Sequence, residues 1–149
     1  MTDPASQPSA GAICYIDDEV NLLSVVRRGL ERRGWTVVTI GDPFDALRQV
    51  RKAEPRIIIL DLLMPGMDGF QVLRALKSSS DLGHIPVVIA SARDAQKDKE
   101  MAFSMGAAAF LVKPFGVKEL LLTIESVLGP IVAPPDPQPS PDTFPNQGG

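Results

Sequence analysis

Across 149 residues, fifteen Lys+Arg stand against eighteen Asp+Glu, a net charge of −3. Residues 12–128 hold fifteen bases and fifteen acids, so the excess lies wholly in the flanks, at Asp3, Asp136 and Asp142. The length suits one domain, and the missing basic surplus argues against direct nucleic-acid binding, which is held by phosphate contacts.

Other bulk features narrow the class. Hydrophobic residues make up 44%, enough for a real core in a chain of this size. The longest apolar runs are strand-length, so no membrane span is expected. Residues 1–8 lack the basic start and apolar stretch of a secretory signal. The single cysteine, Cys14, excludes an internal disulfide and sits in an apolar run, as a buried structural thiol does. A cytoplasmic address is the simplest expectation.

Two composition breaks frame the chain. Residues 1–11 are small and polar, which predicts a flexible N-terminus. Residues 129–149 contain seven of the fourteen prolines and no basic side chain, which predicts a disordered tail or a truncated linker.

Between the breaks, strand and helix patterns alternate. Residues 12–16 form a short apolar run, and Val20, Leu23, Val26 and Leu30 then mark a helix. Residues 35–40 are β-branched and apolar, and Asp42-Pro43 has the form of a helix N-cap followed by its first residue. A continuous apolar strand is predicted over 57–60 and a helix over 70–76. Residues 87–90 read as a fourth strand, and residues 93–105 as a polar helix that stops at Gly106. A fifth strand over 108–112 precedes a helix whose apolar stripe is Val117, Leu120, Leu121, Ile124 and Leu128.

Five βα units with few alternating strands imply an α/β fold: one doubly wound, five-stranded parallel sheet, (βα)5, with helices on both faces. Right-handed crossovers make strand order 2-1-3-4-5 a strong candidate. Its functional crevice lies beyond the carboxyl ends of strands 1 and 3. Polar residues collect there. Strand 1 ends in Asp17-Asp18, strand 3 in Asp61, strand 4 in Ser91 and strand 5 in Lys113. Three converging carboxylates repel one another unless a cation intervenes, and oxygen-only ligands suit Mg²⁺, or Mn²⁺ as a substitute. The lone His84 argues against zinc. A metal-loaded carboxylate facing a hydroxyl and an ammonium is the apparatus for holding a phosphoryl group, with Asp61 as nucleophile.

The segments Ile16-Asp17-Asp18-Glu19, Asp61-Leu62-Leu63-Met64-Pro65-Gly66-Met67-Asp68-Gly69, Ser91-Ala92 and Lys113-Pro114-Phe115 together resemble the response-regulator receiver domain of two-component signalling, over about residues 12–128. The resemblance implies that Asp61 accepts phosphate from a histidine kinase or phosphotransferase. It implies Mg²⁺ on Asp18, Asp61 and the Leu63 backbone carbonyl, with Asp17 acting largely through water. Lys113, joined to Pro114 by a cis bond, would contact the phosphoryl group. Ser91 and Phe110 would form the switch that reshapes the helix 4–strand 5–helix 5 surface for a downstream protein target, and that face is also a candidate homodimer contact. Leu63 and Arg93 flank the site.

Two rivals stay open on the residues. A Mg²⁺-dependent phosphohydrolase would need an acid/base beside its nucleophile, and Leu62-Leu63 follows Asp61 instead. A phosphorylation-independent binding module would not need the full polar set. The expectation is a signalling switch rather than a turnover enzyme, with no DNA-binding output domain in the chain. Arg27, Arg28, Arg32 and Arg33, on or just after helix 1, read either as a partner-docking face or as a solvated one.

Overall fold

The computed structural model describes residues 10–129 except Pro65 and residues 93–95; for residues 20–23, Met64 and Met67 it describes the backbone alone. Five strands, β1 (Gly11–Ile16), β2 (Trp35–Ile40), β3 (Ile57–Asp61), β4 (Val87–Ser91) and β5 (Ala109–Val112), pair in parallel in the order β2-β1-β3-β4-β5. The helices are α1 (Val20–Glu31), α2 (Ala46–Ala53), α3 (Gly69–Ser78), α4 (Gln96–Ser104) and α5 (Val117–Leu128). The expected strand order and doubly wound layering are both present.

Strand side chains point alternately to opposite faces, and here both faces are apolar. Ile13, Tyr15, Ile57 and Ile59 point to one side, where Val26 and Leu30 of α1 and Leu120 and Ile124 of α5 cover them. Cys14, Ile16, Ile58 and Leu60 point to the other, against Val50 of α2 and Val72, Leu73 and Leu76 of α3. All five β3 residues are buried. Burial pushes the Cys14 thiol up to about 12, so it stays an inert core residue.

Element boundaries move in several places. The predicted flexible N-terminus ends too late, because Ala10 is buried and Gly11 already pairs with Trp35. Arg56 fastens this start: its Nη1 donates to the Ala10 carbonyl at 2.7 Å, and its guanidinium lies 5.7 Å from the Trp35 ring centroid. Gly11 has φ +117, and an added Cβ would strike the Arg56 side chain, so only glycine suits the position. Helix 2 opens with a 3-10 turn over Pro43–Asp45, in which the Asp42 carboxylate accepts the Phe44 N–H at 3.0 Å. Residues 1–9 and 130–149, and with them most of both predicted flanks, lie outside the described residues, as does Arg93. No helix among the described residues is long and apolar enough to cross a membrane.

One glycine ties the fold to the strand ends. A Cβ on Gly69 would collide with the Asp61 carbonyl oxygen and the Leu62 backbone, whereas one on Gly116 would meet open space. Gly69→Ala is therefore expected to destabilise the domain by about 1–3 kcal/mol in urea unfolding, the usual cost of overpacking. Gly116→Ala should lie within about 0.5 kcal/mol of the parent. Equal effects would place the constraint elsewhere.

Candidate functional site

The carboxyl ends of β1, β3 and β5 bring one ammonium among three carboxylates. Lys113 follows β5, and its Nζ donates to Asp17 Oδ2 at 2.7 Å and Glu19 Oε1 at 2.9 Å, with Asp61 Oδ2 at 3.5 Å. Asp17 and Asp61 are buried, Glu19 is exposed, and Lys113 is largely covered. The peptide bond between Lys113 and Pro114 is cis.

Local sequence explains how each acid is held. The β1–β2 ladder continues through the Asp17 N–H, which donates to the Ile40 carbonyl at 3.0 Å. Asp17 Oδ1 then accepts the Glu19 N–H at 2.9 Å, a local turn that short acidic side chains favour. On β3, Asp61 Oδ1 accepts the Leu63 N–H at 3.2 Å. The segment after Asp61 is built to present it. Leu63–Met64 pairs antiparallel with Met67–Asp68 in a two-residue ribbon. Asp68 ends that ribbon as N-cap of α3: its carboxylate accepts the Phe70 N–H at 3.0 Å, and Gln71 Oε1 accepts the Asp68 N–H at 3.3 Å. The Gly69 N–H donates to the Leu62 carbonyl at 2.9 Å and closes the loop. Asp68 and Gly69 thus do structural work that fixes where Asp61 points.

Electrostatics sets Asp61 apart. Burial, then the charge of Asp17, raises its carboxyl to about 6, against the partial relief of the Leu63 N–H and Lys113. For Lys113 burial alone would lower the ammonium, yet its hydrogen bonds to Asp17 and Glu19 hold it above the ordinary lysine value.

Ser91 is fully buried at the end of β4, one residue beyond Ala90, which pairs with Asp61. Its carbonyl accepts the Lys113 N–H at 2.8 Å. Phe110, on β5 opposite Ile89, is half-buried, with Lys99 Nζ of α4 6.0 Å from its ring centroid. Leu63 is exposed at the mouth of the site.

Of the acid pair expected to turn inward together, only Asp17 does so. Asp18 is half-exposed and stands outside the trio of Asp17, Glu19 and Asp61, whose ligand oxygens lie within 4.8 Å of one another. Glu19, itself exposed, brings its carboxylate to the cluster instead. In a run of three consecutive acids no periodicity distinguishes the one that turns in; the clue available was Lys113, whose ammonium draws the longer side chain across. Three carboxylate oxygens, without nitrogen or sulfur, fit a hard divalent cation, and the raised pKa of Asp61 marks the charge such a cation would relieve. The buried acid Asp98 on α4 was not singled out by its sequence, because a lone acid on a polar helix carries no burial signal.

Known proteins are similar to this chain in sequence and in fold. The sequence model described as "Response regulator receiver domain" matches residues 13–125. The heme response regulator HssR of Staphylococcus epidermidis is 42% identical over 113 residues, which are 76% of this chain and 49% of that protein. The alkaline phosphatase synthesis transcriptional regulatory protein PhoP of Bacillus subtilis is 30% identical over 116 residues, 78% of this chain and 48% of its own length. The chain therefore spans about half the length of these curated relatives. Among solved structures, the chemotaxis protein CheY4 of Vibrio cholerae superposes with a TM-score of 0.74 at 31% identity, covering 78% of this chain and 98% of that one. Sequence match and superposed fold agree, and the chain belongs to the response-regulator receiver domain family of two-component systems.

Proposed function

We propose that the domain is a phosphorylation switch with Asp61 as the phosphoacceptor. The observation that carries this reading is the gathering of Asp61, Asp17, Glu19 and Lys113 at one end of the sheet, with Ser91 one strand away. An Asp61 oxygen attacks the phosphorus of a phosphohistidine on a histidine kinase or phosphotransferase. The P–N bond breaks, its electron pair returns to the imidazole, which takes up a proton, and an acyl phosphate remains on Asp61. Lys113 neutralises phosphoryl charge, and the Ser91 hydroxyl donates to a phosphoryl oxygen. When bound, Mg²⁺ (or Mn²⁺) supplies charge neutralisation at the acidic cluster and on the phosphoryl oxygens.

For the metal we assign Asp17, Asp18, Asp61 and the Leu63 backbone carbonyl. Glu19 is within reach, but its carboxylate is already paired with Lys113, whereas Asp18 has no ion pair among the described residues. An uncompensated carboxylate gains more from a cation. Ser91 and Phe110 form the switch: once Ser91 turns to the phosphate, the half-buried Phe110 ring moves inward from beneath Lys99 and changes the α4–β5–α5 surface read by a protein target or a second copy. Residues 12–128, with Ala10 and Gly11 added, are the working domain, and residues 129–149 its tail or linker. A role in signalling rather than turnover fits relatives that are response regulators.

Incubation with acetyl phosphate and Mg²⁺ should add the mass of one phosphoryl group to the parent protein and none to Asp61→Asn. Equal labelling of the two would move the acceptor, and repeated turnover of small phosphomonoesters would favour a hydrolase. In calorimetric titration with Mg²⁺, Asp18→Ala should weaken binding by at least ten-fold and Glu19→Gln by less. The reverse order would give the third carboxylate of the site to Glu19.

A further inference from the structure

The chain's only tyrosine carries a hydroxyl that its packing does not require. Tyr15 lies on β1 and is fully buried, in the apolar layer that α1 and α5 cover. Its hydroxyl oxygen is shielded from solvent and has no hydrogen-bond partner among the described residues. Buried tyrosine hydroxyls usually find a partner, because a polar group that leaves water without one is costly. A phenylalanine would fill the same layer without that cost. Apolar packing therefore gives no reason for the hydroxyl.

The place of the residue on its strand supplies one. Side chains two apart on a strand share a face, and the β1–β2 ladder continues through the Asp17 N–H, so Tyr15 and Asp17 stand on the same side of the sheet. On β5, Leu111 of the same apolar layer is likewise two residues before Lys113, whose ammonium crosses to Asp17. The phenol thus belongs to the layer directly under the contact between Asp17 and Lys113. The charges of the cluster reach it: burial first, then Asp17, Asp61 and Glu19, push the phenol pKa up, and the group stays an O–H donor.

We propose that Tyr15 is a positioning residue for phosphoryl transfer, its hydroxyl donating to the Asp17 carboxylate once Lys113 leaves Asp17 for the phosphoryl group. This rests on the reading of Asp61 as the phosphoacceptor. In the resting site Lys113 Nζ is 2.7 Å from Asp17 Oδ2 and 3.5 Å from Asp61 Oδ2. A phosphoryl group arriving on Asp61 draws the ammonium toward itself. The fully buried Asp17 then keeps the Glu19 N–H on Oδ1 and loses the Lys113 donor on Oδ2. A buried carboxylate short of a donor is costly, and that cost opposes the movement of Lys113. The Tyr15 ring is fixed by its apolar neighbours, so the carboxylate is the group that turns to meet the hydroxyl. Because this hydrogen bond forms only after Lys113 has moved, it stabilises the transition state and product and not the resting site.

The test uses the full chain with its one tyrosine labelled at the ζ-carbon, which gives a single NMR signal, together with the rate of mass labelling by acetyl phosphate and Mg²⁺. In the parent the ζ-carbon signal should move downfield as the phosphoryl group accumulates, as it does when a phenol begins to donate a hydrogen bond. Tyr15→Phe should slow labelling by about three- to ten-fold, the worth of one hydrogen bond. Its thermal unfolding midpoint should equal or exceed that of the parent, since the resting state loses no bond. An unchanged rate, or an unmoved signal in a parent that does become labelled, would overturn the proposal and leave Asp61 as the acceptor. A slow variant with a lowered midpoint would make the hydroxyl a structural group, with the same consequence. A parent that takes up no phosphoryl group would remove the reading of Asp61 and the role of Tyr15 with it.

Discussion

The contact on which the site rests is a single lysine ammonium among three carboxylates. Asp17, Glu19 and Asp61 come from the ends of β1 and β3, and Lys113 reaches them from the end of β5. Buried like charges at this range are costly without a cation. One ammonium serving three acids relieves that cost only in part, and burial, then the charge of Asp17, raises the pKa of Asp61 to about 6. The sheet order makes the arrangement possible, since β3 lies between β1 and β4, and β4 carries Ser91 to the adjoining strand end. The apolar faces below hold the strand ends in register, so repulsion at the mouth does not splay them.

Much of this was legible in the residues. Continuous apolar strands, four of them ending in a polar residue, led to the doubly wound sheet and to Asp17, Asp61, Ser91 and Lys113 at its carboxyl edge. Less visible were features decided by tertiary contact. Ala10 and Gly11 look like tail because they are small, yet Arg56 and Trp35 hold them in place. Asp17, Asp18 and Glu19 are chemically alike in sequence, and only the position of Lys113 draws the carboxylate of the exposed Glu19 to the cluster. The two-residue ribbon before α3 has too few residues to show a period, and the α3 capping box explains why Asp68 and Gly69 stand in the Asp61 segment.

A neutral domain can still be sharply polarised. Fifteen acids balance fifteen bases over residues 12–128, but three of the acids, Asp17, Glu19 and Asp61, gather at one end of the sheet, while Arg28, Arg32, Arg33 and Lys118 border a groove between α1 and α5. The total of zero hides a carboxylate cluster suited to a cation and a phosphoryl group.

The raised pKa of Asp61 is where fold, charge and reactivity meet. A carboxyl whose folded value lies above its unfolded one binds a proton more readily when folded, so the fold is most favoured by this group at low pH and loses that contribution as pH rises through about 6. Neutralisation by a divalent ion acts in the opposite sense and favours the charged, nucleophilic form. The most direct measurement is a carboxyl-carbon NMR titration of Asp61 in the full chain without divalent ions and again with saturating Mg²⁺. A midpoint near pH 6 that moves to lower pH with Mg²⁺ is the predicted result. A midpoint at the ordinary aspartate value of 3.8, unmoved by Mg²⁺, would contradict it.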